Sequence, residues 1–146
     1  GTEPAPGLAR PGGLRPALPW VSAVPARRRL AEGDGVSYGH RWTAPADSTI
    51  VTVPVGYADG VRRDAGDRGV EVLIGGVRRP IVGTVTMDQL LVDVGDDPVD
   101  VGDEVVLVGT QGGEQVTAAE WADRLGTIPY EVVCAVGARV PRVHLW

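Results

Sequence analysis

The stretch VEVLIGGVRRPIV, residues 70–82, decides the fold of this 146-residue chain. Valine- and isoleucine-rich runs stand on both sides of the pair Gly75-Gly76. A glycine pair adopts the positive φ values that a two-residue hairpin turn requires. The stretch therefore predicts two antiparallel strands, 70–74 and 77–82, joined by a tight turn.

Short strands of the same kind are predicted on both sides of this hairpin, at residues 20–24, 36–42, 49–57, 90–94 and 104–108. The strand at 49–57 places Val51, Val53, Val55 and Tyr57 on one face. Pro54 on its other face lacks a backbone donor, which predicts an edge strand or a neighbouring bulge. Seven short strands without helices between them predict a mainly β fold, a small barrel or a sandwich-like domain.

Helix signals are confined to the C-terminal part of the chain. Thr117 and Glu120 have the spacing of a capping box, and Gly126 fits the left-handed position that ends a helix. A second helix is predicted with Thr127 as its cap and Pro129 in its first turn. We therefore expect one or two short helices near the C-terminus.

The beginning of the chain differs from the rest. Residues 1–19 are rich in Pro and Gly and show little periodicity, which predicts an irregular lead-in or a former interdomain linker. The β domain is then expected at residues 20–146. Because Met87 is the single methionine, we expect the sequence to be an excerpt or a processed product.

The composition narrows the function classes. All 14 basic residues are arginine, so the chain has no lysine. The net charge of −5 argues against a nucleic-acid partner, and no apolar run is long enough for a membrane span. With one cysteine, Cys134, neither an intrachain disulfide nor a cysteine-rich metal site is expected. A cytoplasmic protein that binds no metal is the prediction.

Two arginine pairs are candidate sites for small anions, Arg62-Arg63 and Arg78-Arg79, although the sequence favours solvated charges at turns as their explanation. The two histidines, His40 and His144, are isolated in the sequence. We expect surface or packing roles for both.

The three tyrosines stand out because the chain contains no phenylalanine. Tyr38 and Tyr57 lie beside glycines, and Tyr130 lies at the predicted start of a helix. One interpretation is a buried ring whose hydroxyl is paired. The other is a functional role for each hydroxyl, and the sequence pattern alone leaves both open.

Eight ordered segments together resemble the C-terminal domain of bacterial alanine racemases. They are LRPAL at 14–18, VSYG at 36–39, VGYADG at 55–60, PIVG at 80–83, MDQ at 87–89, VGDEV at 101–105, YE at 130–131 and RVPR at 139–142. The resemblance covers nearly everything from Leu14 to Val143.

The resemblance implies a pyridoxal phosphate enzyme that interconverts L-alanine and D-alanine for peptidoglycan precursor supply. It implies a (β/α)8 barrel that holds the cofactor on a lysine, and a β domain that closes the barrel mouth of the other subunit in a head-to-tail homodimer. Because this chain lacks lysine, we expect it to be inactive by itself.

By the same resemblance, Tyr38 matches the tyrosine that exchanges the α-proton on the L-alanine face, opposite the barrel lysine. An ordinary phenol has a pKa of about 10, so a phenolate requires favourable neighbours, which the barrel would provide. Met87 matches the position whose backbone amide binds the substrate carboxylate. A methionine that fills a gap in the core is the alternative.

The resemblance assigns four further residues less firmly to the substrate entry or the surroundings of the cofactor phosphate: Tyr57, Arg63, Asp88 and Tyr130. The chain also departs from its relatives. Many of them carry Arg and Cys where this sequence has Thr84 and Thr86. Loss of that arginine removes one charge from the expected entry.

Two alternatives stay open at this stage. The chain could be a stand-alone β module that binds a partner without catalysis, or part of a racemase for another amino acid such as serine. A pyridoxal phosphate barrel encoded directly upstream would distinguish the enzyme from the binding module.

Overall fold

The structure is a computed structural model that describes residues 16–144. Within them, ten strands precede two helices. The strands are β1 (Trp20–Ala23), β2 (Ala26–Leu30), β3 (Gly35–Val36), β4 (Trp42–Thr43), β5 (Ser48–Val53), β6 (Glu71–Ile74), β7 (Val77–Val82), β8 (Leu90–Gly95), β9 (Glu104–Gln111) and β10 (Glu114–Val116), and the helices are α1 (Ala118–Leu125) and α2 (Pro129–Ala135). Most of the predicted lead-in, residues 1–15, lies outside the described residues.

The main sheet is antiparallel, with strand order β1-β9-β6-β7-β8-β5-β2 and β10 added to β9. Its two end strands, β1 and β2, are separated in sequence only by Val24 and Pro25. Such a short link spans about 11 Å at most. The sheet must therefore curl until its edges approach, and it forms a half-barrel. This confirms the mainly β fold and favours the barrel over the sandwich.

The hairpin at residues 70–82 is confirmed. Strands β6 and β7 pair from Glu71 opposite Pro80 to Ile74 opposite Val77. Gly75 and Gly76 have φ values of 62° and 75°, as the turn requires. Apolar side chains of these strands join the main core together with those of β5, β8, β9 and both helices.

The strand predicted at 49–57 is shorter and lies elsewhere in the sheet. It is β5, which ends at Val53 and pairs with both β2 and β8, so it is not an edge strand. Pro54 follows the strand, where no donor to a neighbouring strand is needed. Tyr57 lies in the next turn and is exposed, not in line with Val51 and Val53.

The strand predicted at 36–42 is a small hairpin instead. Strands β3 and β4 flank one turn of 3₁₀ helix, Tyr38–His40. Positive φ values at Ser37 and Gly39 interrupt any extended strand there. Val36 and Trp42 from the two arms pack on a second, smaller core made by Leu30, Ala44, Ile50 and Val82.

Two strands escaped the sequence prediction. Strand β2 reads ARRRL, in which only Leu30 is buried. Its three arginines gave no alternating apolar pattern, so the sequence did not predict a strand. An edge strand nevertheless tolerates solvated side chains at most positions. Strand β10 has three residues, too few to show a period, and it forms because β9 continues into a hairpin.

The capping box of α1 is confirmed. The Thr117 hydroxyl accepts a hydrogen bond from the Glu120 backbone N–H at 3.1 Å, and the Glu120 carboxylate accepts one from Thr117 N at 2.6 Å. Gly126 ends the helix with φ 69°. The face with Ala118, Trp121 and Leu125 is buried, as the helical period requires.

Helix α2 starts differently from the prediction. Its N-cap is Ile128, which makes no side-chain cap bond, and Pro129 follows in the first turn as predicted. Thr127 does not cap the helix, because its hydroxyl bonds the Glu131 carboxylate instead.

The helices are anchored to the sheet through Trp121. Its ring lies 6.0 Å from that of Trp20 on β1, and its Nε1 donates to the Glu71 carbonyl on β6 at 2.9 Å. This fixes α1, and α2 packs on α1.

Candidate active site

The loop between β7 and β8, residues 83–89, is where the candidate residues meet. The Tyr57 amide donates to the Thr86 carbonyl at 2.9 Å, and the Ala58 amide donates to the Met87 carbonyl at 3.0 Å. A Cβ on Gly56 would lie 2.3 Å from the Met87 oxygen, so only glycine fits there. The turn that carries Tyr57 is thus bound by its backbone to the loop that carries Met87.

A second attachment brings Tyr38 to the same loop. The hydroxyl of Ser37 donates to the Thr84 carbonyl at 2.5 Å, although the two residues lie 47 positions apart in the sequence. Tyr38 follows Ser37 in the 3₁₀ turn, and 65% of its surface is exposed. Tyr38, Tyr57 and Met87 therefore come from three segments that are joined at one loop.

Exposure argues against the interpretation of these residues as buried side chains. Tyr57, Met87 and Tyr130 are 43%, 52% and 46% exposed, so neither the tyrosines nor the methionine is core filler. Among the described residues, nine large apolar or aromatic side chains are exposed, and one of the nine is Ile128, two positions before Tyr130 in the sequence. An exposed group of this kind is typical of a binding surface.

Asp88 is not a free carboxylate. Arg139 Nη2 contacts its Oδ1 at 2.6 Å, and Arg139 Nε lies 3.3 Å from Asp59 Oδ1. Asp59 is only 7% exposed, and its Oδ2 accepts the Gly56 amide at 2.8 Å. The hydrogen bond to Asp88, followed by the charge of Asp59, raises the pKa of Arg139 above its usual value.

Asp59 and Arg139 escaped the sequence prediction as site residues. Both lie within the segments VGYADG and RVPR that carried the resemblance. No sequence pattern links Arg139 to its partner Asp88, because the two lie 51 positions apart in the sequence.

The arginine pairs behave differently from one another. Arg62, Arg78 and Arg79 each pair with carboxylates of the same chain, so they are not open anion sites. The side chain of Arg63 has no partner within residues 16–144, and it is exposed. Its carbonyl accepts the Val85 amide at 3.1 Å, which places it beside the same loop.

Tyr130 lies in the first turn of α2 and is further from the loop. The other end of α2 contacts the Tyr57 turn, where the Gly137 amide donates to the Asp59 carbonyl at 3.0 Å. A seven-residue helix is about 10 Å long. The structure therefore brings Tyr38, Tyr57, Arg63, Met87 and Asp88 to one loop, and Tyr130 lies one helix length away.

The two positions that depart from the relatives differ in surroundings. Thr84 is buried, and its hydroxyl has no partner in the described part of the chain. The Thr86 hydroxyl donates to the Gln89 carbonyl at 3.0 Å. Neither position contributes a charge to the site.

Other kinds of site find little support within residues 16–144. No three His, Cys, Asp or Glu side chains converge there as metal ligands. None of the helices described has the length and apolar composition to cross a membrane.

The model of the family described as alanine racemase, C-terminal domain, matches residues 17–144. The chain belongs to this family. It is 52% identical over 145 residues to the alanine racemase of Symbiobacterium thermophilum and 50% identical over 147 residues to that of Frankia casuarinae. Each match covers 99% of this chain and 38% of the relative.

Solved structures of the family agree with the fold. The alanine racemase from the D-cycloserine-producing Streptomyces lavendulae matches with a TM-score of 0.92 and 41% identity, over 100% of this chain and 38% of that one. The alanine racemase from Bacillus anthracis with bound L-Ala-P matches with a TM-score of 0.88 and 40% identity, over 93% and 34%. The chain thus spans a little over a third of the length of these alanine racemases.

Proposed function

We propose that this chain is the C-terminal part of an alanine racemase, and that Tyr38 exchanges the α-proton on the L-alanine face. The observation that carries the proposal is the attachment of two turns to the loop of residues 83–89, here called the Met87 loop. One is the 3₁₀ turn Tyr38–His40, the Tyr38 turn, and the other is the turn that carries Tyr57, the Tyr57 turn. The family match over residues 17–144 supports the enzyme class. The names of its relatives favour alanine over serine as substrate.

Racemisation needs a proton acceptor on one face of Cα and a proton donor on the other. When L-alanine reacts, the ionised Tyr38 oxygen accepts the α-proton: the C–H bond breaks and an O–H bond forms. A group on the opposite face then delivers a proton to Cα. In the reverse direction the Tyr38 hydroxyl donates the proton. Its exposure, 65%, allows the oxygen to reach a substrate held outside this chain.

The Met87 backbone amide is proposed to bind the substrate carboxylate. Among the described residues, this N–H has no hydrogen-bond partner, whereas the Met87 carbonyl is held by Ala58. A backbone donor recognises an anion without adding a group that titrates. The loop therefore presents a donor whose position the Tyr57 turn fixes.

Pyridoxal phosphate is the cofactor that we propose for the full-length enzyme. This chain does not fit the role of its covalent holder, because it contains no lysine. We propose that a barrel domain holds it, and that Tyr130, which is 46% exposed, contacts its phosphate or the entry. When bound, the cofactor accommodates the electron pair that remains after Cα loses its proton. Arg63 and Asp88 are proposed for the entry, with Tyr57.

The partner is proposed to be the barrel domain of the other subunit in a head-to-tail homodimer. The exposed side chains of Tyr38, Tyr57 and Met87 form a surface that such a domain would cover. We further propose a cytoplasmic enzyme that supplies D-alanine for peptidoglycan precursors, with residues 20–146 as its β domain. The isolated chain would be inactive.

The test is Tyr38→Phe in the full-length enzyme, because this change deletes only the proton-exchanging oxygen. Racemisation should fall in both directions together, since the equilibrium constant between enantiomers is unity. Deuterium exchange into L-alanine should be lost, while exchange into D-alanine persists at the opposite face. Normal turnover, or equal loss of exchange at both faces with normal cofactor binding, would show that Tyr38 is structural.

A further inference from the structure

We propose that Ser37 is a positioning residue whose hydroxyl holds the Tyr38 turn at a fixed place relative to the Met87 loop. The inference rests on the proposed function of Tyr38. It assigns to Ser37 no contact with substrate or cofactor. It concerns only where the Tyr38 oxygen lies.

The backbone of Ser37 is in a conformation that favours glycine. Its φ is 62° and its ψ is −174°. Within residues 16–144, only Ser37 and His40 among the non-glycine residues have a positive φ, and they flank Tyr38 and Gly39. A strained residue persists only where its surroundings hold it, and such residues cluster at functional sites. The Tyr38 turn therefore needs an anchor.

The Ser37 hydroxyl is that anchor. Ser37 occupies the N-cap position of the 3₁₀ turn, where a serine oxygen usually accepts an N–H of its own turn. Here it makes no such bond and donates to the Thr84 carbonyl at 2.5 Å. The backbones also approach closely, since a Cβ on Gly83 would lie 3.0 Å from the Ser37 Cβ.

Other contacts hold the arms of the small hairpin and the end of the turn, since Val36 and Trp42 pack on the smaller core and Arg41 pairs with Asp67 at 3.1 Å. Within residues 16–144 the Tyr38 hydroxyl has no partner, and the residue is 65% exposed. Beside the turn lies an open cavity of about 330 Å³, which Ser37 and His40 line together with Arg28 and Leu30. Packing on that side does not prevent the turn from relaxing. The Ser37 hydrogen bond is the side-chain bond that ties the residue next to Tyr38 directly to the Met87 loop.

Loss of the hydroxyl should move Tyr38 and leave Met87 in place. The Met87 loop has its own attachments, through the amides of Tyr57 and Ala58. The proposed carboxylate donor therefore stays, and the proposed proton acceptor shifts. A displacement of about 1 Å costs up to about 100-fold in rate. The effect should appear in kcat and at the L-alanine face alone.

The experiment uses Ser37→Ala and Ser37→Gly in the full-length enzyme, with deuterium exchange into L-alanine and into D-alanine measured separately. Glycine tolerates the positive φ, so this second variant removes the hydroxyl without backbone strain. Ser48→Ala is the matched control, because the hydroxyl of Ser48 on β5 bonds the carboxylate of Asp93 on β8 and not the Met87 loop. Tyr38→Phe is measured in parallel.

Both Ser37 variants should lose L-face exchange about 10- to 100-fold relative to D-face exchange, with KM for alanine near wild type, while Ser48→Ala keeps the wild-type ratio of the two faces. A wild-type ratio in Ser37→Ala, or in Ser37→Gly, would overturn the inference. If Tyr38→Phe loses L-face exchange and the Ser37 variants keep it, this inference alone fails. If Tyr38→Phe keeps L-face exchange, the proposed function fails and the inference with it.

Discussion

Arg139 Nη2 lies 2.6 Å from Asp88 Oδ1, and this contact joins the C-terminal segment to the loop that carries Met87. The same guanidinium approaches Asp59, the buried carboxylate that holds the Gly56 amide. One side chain therefore braces both the Met87 loop and the Tyr57 turn. The hydrogen bond to Asp88 and the charge of Asp59 raise the pKa of Arg139 above its usual value.

Arg139→Gln should weaken alanine binding in the full-length enzyme. The change leaves Asp59, 7% exposed, without its counter-charge and releases Asp88 beside Met87. We expect KM to rise more than kcat falls, and the urea midpoint of unfolding to drop. Arg28→Gln is the control, because Arg28 has no partner among residues 16–144. Equal KM values for the two variants would contradict this role of Arg139.

Gly56→Ala should displace the Met87 loop. The added methyl group would lie 2.3 Å from the Met87 oxygen and 2.4 Å from the Thr86 oxygen, both of them backbone atoms. Overpacking of this kind costs about 1–3 kcal/mol of unfolding free energy, and the substrate KM should rise as well. Urea unfolding and steady-state kinetics measure the two effects.

Gly137→Ala is the matched control for this change. Its methyl group would meet the Ala58 oxygen at 3.4 Å, an ordinary contact. We expect stability and KM near wild type. Equal effects at the two glycines would show that the close approach of Gly56 to Met87 is not what matters.

Glu120→Gln should reduce stability at neutral pH and not in acid. Burial raises the pKa of Glu120, but the Thr117 amide, Arg78 and the Thr117 hydroxyl outweigh it, so the pKa lies below its ordinary value. A group with a lowered folded pKa stabilises the fold above its unfolded pKa of about 4.3, and this contribution is lost as the pH falls through the folded pKa.

We expect a difference of about 1 kcal/mol at pH 7, limited by solvent because the Glu120 side chain is 41% exposed. It should vanish in acid below the folded pKa. Urea unfolding at several pH values measures it. Glu114→Gln serves as control, since Glu114 contacts the same Arg78 at 3.4 Å without capping a helix. A difference that is independent of pH would contradict the role of the carboxylate charge.

The isolated chain should not retain pyridoxal phosphate covalently, because it has no lysine. Incubation with the cofactor, borohydride reduction and mass analysis of peptides test this directly. Reduction at the terminal amine of Gly1 is expected background. A specific adduct on an internal residue would contradict the proposal that a barrel domain, and not this chain, holds the cofactor covalently.

Sequence predicts the elements whose signals are local. The hairpin of β6 and β7 and the capping box of α1 follow from neighbouring residues, and the structure has both. Strand β2 could not be predicted from neighbouring residues, since its three exposed arginines give no strand pattern. It is a strand because it pairs with β5. The small hairpin around Tyr38 was missed for a similar reason, because its bend depends on positive φ at a serine.

The residues of the candidate site also fall into two groups, those that the sequence marks and those that it does not. Tyr38, Tyr57 and Met87 are recognisable because they lie in short characteristic segments. Ser37 and Arg139 bond partners that lie 47 and 51 positions away in the sequence, and no pattern along the chain marks those contacts. The missed residues are those that hold the recognised ones in place.

The pairing of β1 with β9 has a consequence for how the protein is made. Strand β1 leaves the ribosome before the rest of the sheet, yet its pairing partner is Glu104–Gln111. Non-local pairing of this kind slows folding, because the intervening chain must first be ordered. During synthesis the β6–β7–β8 meander can form early. Strand Trp20–Ala23 stays unpaired until more than 80 further residues have been synthesised. The half-barrel is therefore completed late in translation, and its first strand is the part that needs protection from aggregation until then.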